Sequence, residues 1–173
     1  MQHLPAGLTV FLTGLMLLSL THHAAAQAGQ PFGMLEVNVQ VDGLSCPFCA
    51  YGLEKKLRKV GNVASLEIHV SEGRAVLKPK PGTTLDLAAV EQAVRDGGFT
   101  PGGLTLTARG RLTERQGTPA LELSHGIVLL LAKDGQTDAL ESATGSVVRI
   151  EGQVEGQAGR AYTLTVRSFQ VVS

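Results

Sequence analysis

The sequence predicts an α+β chain in two parts, a sandwich built strand–helix–strand–strand–helix–strand and then a small β-barrel. Between residues 35 and 108, period-two alternation and helical spacing of apolar residues succeed one another in that order. Turn residues punctuate the change-overs: Asp42-Gly43, Gly61, Ser71-Glu72-Gly73, Pro79 and Pro81, and Gly97-Gly98. Beyond Ala108, five segments read as strands, with one helical candidate between the third and the fourth. The first order is that of a ferredoxin-like split βαβ sandwich. The second matches the chain order of an OB-like barrel, with a generic small β-barrel as the alternative.

Each element has a local reason. Leu35-Glu36-Val37-Asn38-Val39-Gln40-Val41 alternates apolar and polar residues, as a half-buried strand does. A helix is expected from Pro47, whose missing N–H costs nothing at a first helical position. Ala50, Leu53, Leu57 and Val60 recur at helical spacing, and Glu54, Lys55, Lys56, Arg58 and Lys59 take the other face. The basic residues near its end complement the helix dipole and read as a solvated face. Gly61 stops the helix. In residues 63–70, Ala64, Leu66, Ile68 and Val70 are expected on the core side and Ser65, Glu67 and His69 on the other. Residues 74–78 return as the partner strand, ended by the prolines. Asp86 is placed to cap a second helix whose buried stripe is Leu87, Val90 and Val94. Phe99-Thr100-Pro101 reads as a loop, and Leu104, Leu106 and Ala108 begin the fourth strand.

The remaining strands are expected at 109–115, 120–124, 127–132, 146–154 and 161–172, with a short helix at 137–143. Val148, Ile150, Gly152 and Val154 alternate, as do Tyr162, Leu164, Val166 and Phe169 with one slip. Residues 104–112 are near-continuous strand with Gly110 inside, so almost no linker separates the parts. The expected organisation is a leader at 1–26, the sandwich at 34–108 and the barrel at 109–173.

The leader follows from Leu8, Val10, Phe11, Leu12, Leu15, Met16, Leu17, Leu18 and Leu20, an apolar run followed by Ala24-Ala25-Ala26. A short apolar core before a small-x-small site is a secretory signal, although its front end carries no Lys or Arg. The run is shorter than the roughly 20 apolar residues of a membrane span. A mature chain starting near Gln27, without a membrane span and in the periplasm or secreted, is the expectation. Fifteen Lys and Arg balance fifteen Asp and Glu. Neither half offers a one-sign field, and with no Trp, two Tyr and five Phe, stacking platforms are scarce; nucleic acid is excluded as a partner. Oligomeric state is left open.

The chemistry is concentrated in Gly43-Leu44-Ser45-Cys46-Pro47-Phe48-Cys49-Ala50, which holds both cysteines of the chain. A disulfide across this spacing closes a tiny loop, and loop-closure stabilisation shrinks with loop size, so stapling is a weak role for the pair. Two thiols on one helical turn at a helix N-terminus, where negative charge is favoured, are metal ligands or redox partners. Soft thiolates select closed-shell soft ions. Two sulfurs suit two- or three-coordinate Cu(I) or Hg(II) better than Zn(II), which wants four donors. His69, on the non-core face of a distant strand, and His125, in a turn of the other part, do not complete such a set. Phe48 and Tyr51 flank the cysteines, either shielding them by packing on the first turn or offering a docking surface.

These residues resemble the heavy-metal-associated domain family: Gly43-Leu44-Ser45-Cys46-x-x-Cys49, then apolar positions at Ala50, Leu53, Leu57, Val60 and Val63. The family includes copper chaperones, modules of copper- and zinc-pumping ATPases and the periplasmic mercury-scavenging protein. The likeness spans residues 35–108. Leu44 stands where the family usually has Met, as an apolar anchor for the loop. Gly98-Phe99-Thr100-Pro101 resembles the Gly-aromatic loop that closes over the metal site. The resemblance implies metal ligation by Cys46 and Cys49, with Leu44, Ser45 and Phe99 supporting the loop. It also implies hand-over to a metal-transporting membrane protein or another carrier. No acid/base pair, nucleophile triad or phosphate loop is visible, so no enzyme is expected. A thiol–disulfide oxidoreductase using Cys46-Pro47-Phe48-Cys49 is the alternative, and a non-catalytic interaction module the second. The oxidoreductase reading is weakened because a hairpin follows the first helix directly, where a thioredoxin-type fold continues with further α/β structure. An oxidised pair cannot bind metal, so the metal reading requires bound metal or a reductant to keep the thiols available.

Overall fold

The computed structural model describes residues 32–124, 128–131, 137–156 and 162–172. The expected leader, the start near Gln27 and His125 lie outside them. The elements run β1 (Gly33–Asp42), α1 (Pro47–Leu57), β2 (Val63–His69), β3 (Arg74–Pro79), α2 (Leu87–Asp96) and β4 (Thr100–Arg115). They continue as β5 (Thr118–Glu122), β6 (Val128–Leu131), α3 (Thr137–Ser142), β7 (Val147–Glu155) and β8 (Thr163–Val171). No helix among the described residues is long and apolar enough to cross a membrane.

The first six elements form the ferredoxin-like sandwich. Sheet order is β2-β3-β1-β4, and β1 is antiparallel to both neighbours, with Val39 opposite Ala75 on one side and Leu104 on the other. Alternation along β1 sends Val37, Val39 and Val41 into the core, where they share one cluster with Leu53 and Leu57 of α1 and Val90 and Val94 of α2. Asp86 caps α2 as expected, its carboxylate accepting from the N–H groups of Ala88 (3.0 Å) and Ala89 (3.2 Å).

The structure departs from the sequence pattern in several places. α1 ends at Leu57, short of the expected stop at Gly61. Val70, expected on the core side of the second strand, lies in a 3-10 turn after β2 and is only half-buried. Ala64 is exposed, because the β2–β3 register shifts between Val63 and Ser65 and a one-residue slip changes the face a side chain takes. The expected 99–101 loop is shorter, since Thr100 and Pro101 already pair with Asp42 and Val41 of β1.

β4 is common to both parts, and the boundary expected between residues 108 and 109 falls inside it. Along one edge it pairs with β1 as far as Arg109 and then with β5 from Arg111. Along its other edge it pairs with β7, from Leu104 opposite Val154 to Arg111 opposite Val147. Gly110 sits at the change of partner. A Cβ there would collide with the Glu122 carbonyl oxygen and lie 3.0 Å from Leu121 Cγ, so only glycine fits the crossing. The second part pairs β4-β5-β6-β8-β7 and returns to β4; β6 and β8 are parallel and the other pairs antiparallel. The slip in the β8 alternation is a β-bulge: Glu151 pairs with Ser168 and Gly152 with Val166, leaving Arg167 as the extra residue. Leu112, Leu121, Leu131, Ile150 and Leu164 are buried and continuous with the core of the first part.

Candidate metal centre

The site sits where β1 hands over to α1. Gly43 turns the chain at φ +88°. Leu44, 6% exposed, drops into the core and anchors the loop, while Ser45 stays exposed. Cys46 then takes the N-cap position in extended backbone (φ −138°, ψ 146°). Helix starts leave N–H groups without intrahelical partners, and a side chain normally supplies the acceptor. Here sulfur does so: the Cys49 N–H donates to Cys46 Sγ at 3.2 Å. The Cys46 carbonyl accepts from the Ala50 N–H at 3.1 Å, closing the first turn. No acidic residue occupies that turn. Once the Cys46–Cys49 bond is opened, a Cys46 thiolate would face the positive end of the helix dipole with no carboxylate in the first turn.

Cys46 is half-buried and Cys49 exposed, with Cα atoms 5.3 Å apart, and the two sulfurs are joined in a disulfide. Among the described residues, no group of three or more His, Cys, Asp or Glu side chains is gathered where it could hold a metal ion. His69 is not brought to the cysteines. It lies on the edge strand β2, separated from β1 by β3, with Glu67 at 3.8 Å and Glu72 at 3.7 Å. The Glu72 carboxyl is held below its ordinary value by the hydrogen bond from Arg74, against slight desolvation.

Phe99 is half-buried and packs on the core, its backbone N–H donating to the Val94 carbonyl at 3.2 Å. Its Cδ1 lies 4.0 Å from where a Cβ on Gly43 would sit, so the ring borders the loop that carries the cysteines. Phe48 is 92% exposed and Tyr51 61% exposed. At those exposures Phe48 does not shield the sulfurs by packing; both rings stand in solvent beside them. Lys55 Nζ lies 4.3 Å from the centroid of the Tyr51 ring, a cation–π contact. Sequence spacing placed these aromatics on the first turn, but their outward orientation depends on how α1 rolls against the sheet.

No family model matches the chain. The sequence is 32% identical over 77 residues to Copper-transporting ATPase 2 of Rhizobium meliloti (strain 1021), covering 44% of this chain and 9% of that protein. The chain thus spans less than a tenth of this curated relative. Among solved structures, the CopZ metallochaperone is similar at 19% identity and TM-score 0.36, over 39% of this chain and 98% of its own. The N-terminal domain of PacS from Synechocystis PCC6803 is similar at 25% identity and TM-score 0.32, over 39% and 92%.

Proposed function

We propose that the chain is a carrier of one soft metal ion, Cu(I) foremost, held by Cys46 and Cys49 in a heavy-metal-associated type of domain and passed on by thiolate exchange. The observation that carries this reading is the capping sulfur. Cys46 Sγ accepts the Cys49 N–H at the mouth of α1, and its partner cysteine stands exposed one turn away. The disulfide must first be opened: a dithiol gives up two hydrogen atoms, becomes a disulfide, and leaves Cys46 and Cys49 as thiols. Metal binding then releases their protons. Two sulfur donors favour Cu(I) or Hg(II) over Zn(II). Likeness to a segment of a copper-transporting ATPase supports copper over mercury. Such low coordination leaves room for a thiolate of the receiving protein, a metal-transporting membrane protein or another carrier. The ion leaves as the incoming sulfur replaces Cys46 or Cys49, with no net redox change.

Leu44 and Phe99 brace the loop in this reading, and Ser45 supplies its exposed turn. The apolar run before Ala24-Ala25-Ala26 supports reading 1–26 as a leader, and with it the periplasm or secretion, with units read at 34–108 and 109–173. The second unit is read as an OB-like barrel. That reading is supported by the cyclic pairing of its strands, first-second-third-fifth-fourth, with the third and fifth parallel.

One observation favours a second reading, a thiol–disulfide oxidoreductase: the cysteines are bonded to each other. A transfer experiment separates the two. Reduced protein is loaded with Cu(I), mixed with a second reduced Cys-x-x-Cys domain, and the masses of both are read. A carrier redistributes the ion between the two proteins within mixing time. Failure to retain Cu(I) through desalting, together with catalysed reduction of a model disulfide, would replace the carrier with the oxidoreductase.

A further inference from the structure

The face of the sandwich sheet opposite its helices is polar, and the second part turns it into a trough. Because β7 pairs with β4 and β8 with β7, the sheet continues past what would otherwise be its edge. The resulting concavity, about 250 Å³, is lined by Asn38, Arg74 and Thr105 from the first part and by Glu151 and Arg167 from the second. The cysteine loop, between the end of β1 and the start of α1, contributes no residue to the lining.

Three features make this trough a built arrangement. Arg167 is the extra residue of the β8 bulge, and bulges re-aim side chains. Its Nη2 donates to Gln153 Oε1 at 2.6 Å. Gln153 in turn lies over Gly103, where a Cβ would come 2.5 Å from its Nε2, so glycine leaves the space that Gln153 uses. Arg74 is held separately: Nη1 donates to Asn38 Oδ1 at 3.0 Å and Nε to Glu72 Oε2 at 2.6 Å. Two guanidinium groups, each oriented by its own hydrogen bonds and each from a different part of the chain, thus line one small space. Among the described residues of the lining Glu151 is the one carboxylate, and Glu72 and Glu36 accept hydrogen bonds from Arg74 and Asn38 at its edge. Guanidinium groups bind carboxylate and phosphate oxygens in paired, directional hydrogen bonds. The volume lies below the roughly 300–1,000 Å³ of pockets for drug-sized ligands.

We propose that this trough is a binding site for a small oxyanion, a carboxylate or a phosphate, clamped between Arg74 and Arg167. The site is independent of the metal reading and stands or falls without it. The test is an NMR titration of the ¹⁵N-labelled full chain, disulfide intact, with L-malate and separately with inorganic phosphate at constant ionic strength. The proposal predicts saturable shifts at the backbone amides of Asn38, Thr105 and Gln153 with at least one probe. Malate alone would identify a carboxylate site and phosphate alone a phosphate site. Arg74→Gln and Arg167→Gln should each weaken binding roughly 10- to 100-fold, the range for losing one charge-assisted contact. Arg115→Gln, an exposed arginine at the far end of β4, should leave it unchanged. No saturable shift with either probe overturns the site. So does binding that survives Arg74→Gln with Arg167→Gln, or that falls equally in Arg115→Gln.

Discussion

The two parts of this molecule share a strand and bury their apolar residues in different ways. Up to β4, one face of the sheet is covered by α1 and α2, so helix starts emerge at its ends and the cysteine loop sits at one of them. Beyond β4, the strands pair in a ring with Leu112, Leu121, Ile150 and Leu164 inside, and among the described residues the six-residue α3 is the one helix between them. Helix N-termini concentrate N–H groups and favour negative charge. The covered sheet can therefore present a thiolate pair at a loop, whereas the ring mainly offers rigid edges and surfaces. What joins them is β4, which gives one edge to β1 and β5 in turn and the other to β7.

Substitutions along that strand test whether the parts are energetically one. Leu106 is fully buried and stands opposite Val37 of the first part and Gly152 of the second. Leu106→Ala should cost about 2–5 kcal/mol, as core truncations do. With β4 shared, both parts should unfold in one transition. The chain has no Trp and two Tyr, Tyr51 in the first part and Tyr162 in the second. In a Tyr51→Phe background, Tyr162 fluorescence should therefore follow the same urea curve as helical circular dichroism. Two separated curves would divide the molecule at β4.

Gly110→Ala comes next. The added methyl meets backbone at the Glu122 carbonyl, which cannot swing aside as a side chain can. A loss of about 1–3 kcal/mol is expected from overpacking, read as a lower urea midpoint. An unchanged midpoint would mean that β5 does not approach β4 as described. Asp86→Ala removes two hydrogen bonds at the start of α2 and should cost about 1 kcal/mol. That loss should lower the stability of the whole chain, and not of the first part alone, if the parts unfold together.

The smallest effect concerns Tyr162, which precedes β8. Its hydroxyl is buried without a hydrogen-bond partner. Burial, with help from Glu91 of α2 and from Asp86 that caps it, raises its pKa above the ordinary 10.0. The folded chain thus holds this proton at a pH where the unfolded chain has released it. The corresponding stability is complete below the unfolded value and is lost as pH rises through the folded one. Tyr162→Phe should be neutral or stabilising by less than about 1 kcal/mol near pH 7, since it removes an unsatisfied polar group. It should also flatten the decline in stability above pH 10. A steeper decline in the variant would contradict the burial assigned to this hydroxyl.

Much of this was legible in local sequence. Alternation fixed the inward face of β1, Pro47 and Asp86 marked the helix starts, and the slip near Phe169 registered the bulge at Arg167. The cysteine spacing located the site because both sulfurs come from one helical turn. Features that depend on distant pairing were not legible. Ala64 moved outward because of a register shift set by β3, and no local pattern shows that β4 pairs with β1, β5 and β7. The trough joins Arg74 to Arg167 across 93 positions of the sequence, so no spacing could announce it. The outward stance of Phe48 depends on how α1 seats on the sheet.

The central claim is that Cys46 and Cys49 together hold one soft ion. It is tested most directly by titrating fully reduced protein with Cu(I) under anaerobic conditions and weighing the product by native mass spectrometry. One copper per chain, retained against a weak competing chelator and lost in Cys46→Ser, is the predicted result. Copper that stays bound in Cys46→Ser, or no retained copper in the reduced wild-type chain, would contradict it.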